Sequence, residues 1–254
     1  MAYQDTIFKL RGSIGDLSFY KDKRTGYQVR RKGGPSREQV LNTPELRRTR
    51  ENAQEFGRAA QASKRVRSIL KRKLSCPRDS KFCQRMNSRM VKIIKADQIH
   101  GRGERQVMAE NMEMLLGFDC NEQARLSDVL FLKIPVQYDR FTGKGTLIFP
   151  QFRPSDKILP VANATHVQLR VLATEFGMDD DDTDRISMVS SEYLDIRRAT
   201  ETVSPSLSFD LYPRMTSVVL IWVGVAYYSF VNDGYHPLSD LQHDTLAIVH
   251  VDIP

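Results

Sequence analysis

Asp179, Asp180, Asp181 and Asp182, with Asp184 close behind, are the densest set of oxygen donors in the chain. Carboxylates this close together suit a hard cation such as Ca²⁺, but the glycine and terminal glutamate of an EF-hand loop are absent. Three readings stand: a cation site, a solvated acidic loop between strands, or a contact for a basic surface. The working expectation is an acidic contact with no metal. The matching cations lie far upstream. Arg58, Arg65 and Arg72 recur every seven residues and so fall close to one line on a helix. Arg47, Arg50, Lys64 and Lys71 share the polar side of that helix, where only Glu45, Glu51 and Glu55 oppose them. These seven cations are expected to meet an anionic partner, either phosphates or an acidic protein surface.

Catalytic chemistry is hard to assemble from the remaining residues. Thr142-Gly143-Lys144-Gly145-Thr146 lacks the first glycine of a phosphate-binding loop and sits in a turn context. Gly101-Arg102-Gly103 follows no strand and lacks the third glycine of a dinucleotide fingerprint. The sequence has no H-E-x-x-H and no G-x-S-x-G, and its histidines (His100, His166, His236, His243 and His250) are scattered. His243-Asp244 is an isolated pair. No enzyme activity and no cofactor are expected.

Charge divides the chain. Residues 1–105 carry 27 Lys/Arg against 10 Asp/Glu, and residues 106–254 carry 11 against 21. Such asymmetry implies two parts with different partners, or one that complements the other. Cys76, Cys83 and Cys120 form no C-x-x-C pair and are odd in number, a reduced, intracellular pattern. The N-terminus lacks the basic and apolar regions of a signal peptide. The longest apolar run, Val218–Tyr228, is far shorter than the roughly 20 residues that span a bilayer. A cytoplasmic protein with no membrane partner is expected.

These residues need a scaffold, and the periodicity supplies one. The expected fold class is α+β: a basic β-ribbon and helices, then an antiparallel Ig-like β-sandwich, with the boundary at 125/126. Residues 1–34 read as short strands with glycine turns, with Thr6–Arg11 as the first strand. Ile7, Phe8, Lys9, Leu10 and Arg11 are the candidate strand for pairing with a neighbouring sheet edge. Asn42-Thr43-Pro44-Glu45 reads as a capped helix start. Helices are expected over about 43–75, 79–96 and 104–116, with Phe56 and Phe82 on apolar stripes. Tyr20 and Tyr27 are left as the aromatics able to stack on bases. After Gly117 the period falls to two, with strands over Lys133–Asp139, Gly145–Phe149, His166–Phe176, Leu207–Leu211, Ser217–Val231, Tyr235–Leu238 and Thr245–Asp252.

The motifs Gly12-Ser13-Ile14-Gly15-Asp16-Leu17-Ser18-Phe19-Tyr20-Lys21, Tyr27-Gln28-Val29-Arg30-Arg31-Lys32-Gly33-Gly34 and Thr49-Arg50-Glu51-Asn52-Ala53-Gln54-Glu55-Phe56-Gly57 stand in order in the N-terminal part. With Val225–Leu238 and Leu246–Asp252 they cover about half the chain. In these stretches the chain resembles a family of uncharacterised Bacteroidota proteins with the character of phage-type structural proteins. The resemblance implies a structural role and brings no catalytic residues. Two functions follow as expectations. The first is a self-assembling filament, tube or particle subunit, a homo-oligomer joined through heterologous contacts between its basic and acidic halves. The second is sequence-independent nucleic-acid binding or packaging by the basic helix.

Overall fold

The computed structural model describes residues 2–4, 8–73, 79–177, 185–197, 201–211, 216–238 and 243–254, with backbone alone for 72 and 73. The chain forms two compact units, Met1–Glu51 and Asn52–Pro254, where the sequence reading placed a boundary at 125. The fold is α+β with antiparallel sheets and a β-sandwich.

The first unit is a small sheet followed by a helical turn. Its strands are β1 (Ala2–Tyr3), β2 (Gly12–Ile14), β3 (Leu17–Asp22) and β4 (Gly26–Arg31), in the order β1-β4-β3-β2. The expected strand over Thr6–Arg11 fails where it is described. Phe8–Arg11 are outside every strand, because Gln4 holds this stretch through side-chain bonds: the Leu10 amide donates to Gln4 Oε1 at 2.9 Å and Lys9 Nζ to Gln4 O at 2.7 Å. Ile7 lies outside the described residues. Gly12–Ile14, expected as a turn, is the edge strand instead. Helix α1 (Arg37–Asn42) has the capping box expected at Asn42, but built on Ser36. The Gln39 amide donates to Ser36 Oγ, and the Ser36 amide to Gln39 Oε1. Asn42 is the last residue of α1, and a 3₁₀ turn, Pro44–Leu46, leads on.

Helix α2 (Arg47–Lys73) runs from the first unit into the second, where α3 (Phe82–Lys95) follows. The expected third α-helix is a 3₁₀ helix confined to Ala109–Leu115. The stretch before it is locked in a loop: Asp97 Oδ2 accepts from the Gln106 amide at 2.9 Å, and Glu55 Oε1 from the Gly103 amide at 2.8 Å.

The second unit is layered. One sheet joins β5 (Val136–Asp139), β6 (Lys144–Ile148) and β10 (Ser206–Asp210) in the order β10-β6-β5. The larger sheet is built on β7 (His166–Phe176) and β11 (Val218–Val231), which pair over Val218–Tyr228. Strands β8 (Ile186–Ser190) and β9 (Leu194–Asp195) flank β7; β12 (Gly234–Pro237) and β13 (Thr245–Asp252) flank β11. Strand side chains alternate between faces. Val219, Ile221, Val223, Val225 and Tyr227 therefore face the smaller sheet, in one core with Leu147, Leu207 and Phe209. Val218, Leu220 and Trp222 face the other way, packing with Val66, Ile69 and Leu70 of α2 and Phe82, Met86, Met90, Ile93 and Ile94 of α3. This two-sided burial is why Val218–Tyr228 reads as a continuous apolar run. Gly145 makes the inner packing possible: a Cβ there would stand 2.2 Å from the Phe209 ring.

The apolar face of α2 is turned from the expected one at its N-terminal end. Glu55, Ala59, Ser63, Val66, Ile69 and Leu70 are buried, while Phe56 is 56 % exposed. That end meets the polar loop 97–106 rather than the sheet, so charged groups are drawn inward there.

Candidate functional site

Unit 1 is unusual in what it buries. None of its described apolar side chains is buried; the buried residues are Gln4 and Gln28. Both glutamines are hydrogen-bonded, as buried amides require. Gln4 Nε2 donates to Gln28 O at 2.8 Å, Tyr20 Oη to Gln28 Oε1 at 2.8 Å, and Gln28 Nε2 to Thr25 Oγ1 at 2.6 Å. Ladder and amide bonds, rather than a core, hold this sheet.

Its register sorts the side chains. Leu17 pairs with Arg31 and Ile14, Phe19 with Val29 and Gly12, Lys21 with Tyr27, and Ala2 with Val29. By alternation, Ala2, Ile14, Leu17, Phe19, Tyr27 and Val29 share one face, edged by Lys21 and Arg31. Ile14 is 61 % and Leu17 43 % exposed, and Phe19 and Val29 are half-buried. Tyr3, Ser18, Tyr20, Gln28 and Arg30 share the other, polar face. At the rim, Lys9, Arg11 and Lys21 surround the Tyr27 ring at 6.0, 5.7 and 5.4 Å, and Arg30 lies 5.4 Å from the Tyr20 centroid. Tyr20 and Tyr27, the aromatics kept as base-stacking candidates, thus each lie beside cations, on opposite faces of the sheet.

Of the seven helical cations expected to meet an anionic partner, four are engaged within the protein itself. Arg47 Nε bonds Glu51 Oε1 at 2.8 Å, and Arg50 Nη1 donates to Val40 O and Thr43 O, both at 2.8 Å. Arg58 is half-buried and donates to Arg105 O and Gly103 O, closing the 97–106 loop on α2. Arg65 is half-buried with its guanidinium 5.1 Å from the Phe176 ring. Lys64 and Lys71 are exposed, and the Arg72 side chain lies outside the described residues, as do Asp179, Asp180, Asp181 and Asp182. Spacing alone could not separate cations that face solvent from cations that fasten loops.

The same loop contains the most perturbed carboxylate. Burial of Asp97 opposes its charge, but amide donors from Gln106, Ile99 and His100 and the His100 ring at 2.7 Å overcome it, holding the carboxyl well below the usual range. Asp244, of the His243-Asp244 pair, accepts the Tyr227 amide at 3.0 Å through Oδ1. Among the described residues no three His, Cys, Asp or Glu side chains gather closely enough to hold a metal, and no helix is long and apolar enough to cross a membrane.

Two surface features had no signal in the sequence. Arg85, Arg89, Lys92 and Arg125 line a cleft of about 370 Å³ beside α3, together with Asp119 and Glu122. Arg85 is fixed there by Asp79 at 2.5 Å, by Asp119 O and by Cys120 O, and burial pushes the Asp119 carboxyl up. The other feature is an aromatic cluster on the large sheet: Tyr193, Tyr228, Phe230, Tyr235 and His166. No family profile, no curated protein and no solved structure matches the chain.

Proposed function

We propose that this chain is a self-assembling structural protein whose N-terminal sheet places its apolar face on a neighbouring copy. The observation that carries this reading is a four-stranded sheet with no buried apolar side chain among its described residues. A small sheet needs a hydrophobic face packed against something to be stable. The face formed by Ile14, Leu17, Phe19 and Val29 is such a surface, and a second copy is the partner always present.

Charge favours the same arrangement, though not between the helices and sandwich as units. The basic segment 52–105, with 15 Lys/Arg and 4 Asp/Glu, belongs to the same compact unit as the acidic C-terminal part. The first unit keeps its own excess, 12 Lys/Arg over 6 Asp/Glu, and Lys21 and Arg31 edge the apolar face. Docking one surface of a copy onto a different surface of the next is heterologous and yields rings or filaments. Two of the N-terminal motifs that resemble phage-type structural proteins, Gly12–Lys21 and Tyr27–Gly34, lie in this unit, and the third straddles its end.

Sedimentation velocity across a range of protein concentrations tests the reading, using wild type and the double variant Ile14→Asp, Leu17→Asp. Wild type should form concentration-dependent oligomers, visible by negative stain, while the variant sediments as a folded monomer. A wild-type protein monomeric at every concentration contradicts the proposal.

One observation favours nucleic-acid binding as a second reading: the three cations around Tyr27, since single strands are held by aromatic rings set among Lys and Arg. Anisotropy titration with a random single-stranded oligonucleotide at two salt concentrations checks it. Binding through these cations should weaken steeply with salt, and more so in wild type than in Lys9→Ala, Arg11→Ala.

A further inference from the structure

The helix-packed face of the large sheet does not end where the helices do. Beyond Trp222 and Leu172, the last paired residues of that packed cluster, the same face carries Tyr228 and Phe230 on β11 and His166 on β7, by strand alternation. The β11–β12 hairpin turns through Asn232 and Asp233, both with positive φ, and sets Tyr235 opposite Phe230. Tyr193 stacks on Tyr235 at 3.7 Å and meets Tyr228 edge-on at 4.9 Å; His166 meets Phe230 and Tyr235 edge-on. Phe230 and Tyr235 nevertheless remain 41 % and 39 % exposed.

Beside these rings is a pocket of about 410 Å³ lined by Thr165, His166, Asp195, Arg197, Phe230 and Tyr235. Small-molecule sites commonly have this size, with apolar rings and a few convergent polar groups. The polar side is fixed in place. Thr165 Oγ1 accepts from the Phe230 amide at 2.8 Å and bonds His166 Nδ1 at 2.9 Å. Asp195 Oδ1 accepts from the Arg197 amide at 2.7 Å, and Arg197 Nε donates to Ala164 O at 2.6 Å.

We infer that this pocket binds a neutral saccharide. Asp195 and Arg197 carry opposite charges, so the pocket selects neither an anion nor a cation. Hydroxyl, imidazole, carboxylate and guanidinium together supply both acceptors and donors, as a polyhydroxylated ring needs. The exposed parts of the Phe230 and Tyr235 rings suit its C–H surface. A pocket of these dimensions takes one or two sugar rings and is too small for a folded partner. The inference concerns the second unit and does not depend on how the N-terminal sheet is covered.

Isothermal titration and saturation-transfer NMR with neutral hexasaccharides (β-1,4-glucan, β-1,4-xylan, β-1,4-mannan and α-1,4-glucan) provide the test. At least one probe should bind, with Tyr235→Ala and Arg197→Ala each weakening it about tenfold or more. Emission from the buried Trp222 should stay unchanged in both variants, showing that the fold is kept. The inference is overturned if no hexasaccharide binds at millimolar concentration, or if binding survives both substitutions. It is also overturned if Tyr235→Ala instead alters the oligomeric state, which would make the rings a protein interface.

Discussion

The two units solve the problem of stability in opposite ways. Asn52–Pro254 buries two apolar clusters, one on each face of the large sheet, and Trp222, Tyr227 and Phe82 are among its largest fully buried side chains. Met1–Glu51 buries two glutamines. The first pattern is that of a domain that folds on its own core. The second is a sheet held by its ladder and amide bonds, and on the proposed reading its apolar face packs on a neighbouring copy. A sheet that relied on its own burial would place Ile14 and Leu17 inside.

The contrast can be broken at several points. Trp222→Ala should have the largest effect, about 3–5 kcal/mol lost in urea unfolding, because the ring is fully buried and its Nε1 donates to Thr174 Oγ1 at 3.1 Å. Gly145→Ala should cost about 1–3 kcal/mol, since the added methyl meets the buried Phe209 ring inside the sandwich. If calorimetry shows no loss, the ring has room that the packing denies it.

Asp97→Asn should lower Tm at pH 7 by removing a carboxylate that amides of Gln106, Ile99 and His100 stabilise. The sign of the pH dependence follows from the lowered pKa. Asp97 contributes fully above the ordinary carboxylate pKa, and its contribution is lost as pH falls below that value. The gap in Tm between wild type and Asp97→Asn should therefore narrow in acid; a gap that widens would contradict the geometry. Smallest in stability should be Ile14→Ala, within about 0.5 kcal/mol for the dilute monomer, as for an exposed position. The same substitution should still weaken self-association by sedimentation. Unfolding of Ile14→Ala as costly as that of a core variant would give the first unit a core after all.

Much of the second unit was legible in the sequence. His166–Phe176 and Thr245–Asp252 are strands with the expected limits, since both carry β-branched and apolar residues at strand spacing. Phe82, Met86, Met90, Ile93 and Ile94 are buried along α3 as their spacing implied. Elsewhere, local pattern lost to tertiary contacts. Phe56 fits the helical stripe but faces outward because α2 meets a polar loop at that end. The segment 104–116 has helical spacing, yet Asp97 and Glu55 engage the amides of Gln106 and Gly103. Strand β9, two residues long, has no period to read.

The surfaces were the least legible part. Arg58 and Arg65 sit on a seven-residue repeat that says nothing about Arg58 being tied to Gly103 O and Arg105 O or about Arg65 lying against Phe176. Tyr193, Tyr228 and Tyr235 are separated in sequence; the hairpin after β11 joins the last two, and β9 pairing with β7 brings in Tyr193. The apolar face of the first sheet is visible in the alternation of Leu17, Phe19, Tyr27 and Val29, but the exposure of Ile14 and Leu17 on it is not.

The most direct test of the central claim is amide hydrogen exchange over residues 12–31, followed by mass spectrometry in dilute and in concentrated solution. The account predicts fast exchange in the dilute monomer and strong protection on concentration, with the Trp222 region protected in both. Slow exchange of residues 12–31 at every concentration would contradict it, because the sheet would then be stable without a neighbour.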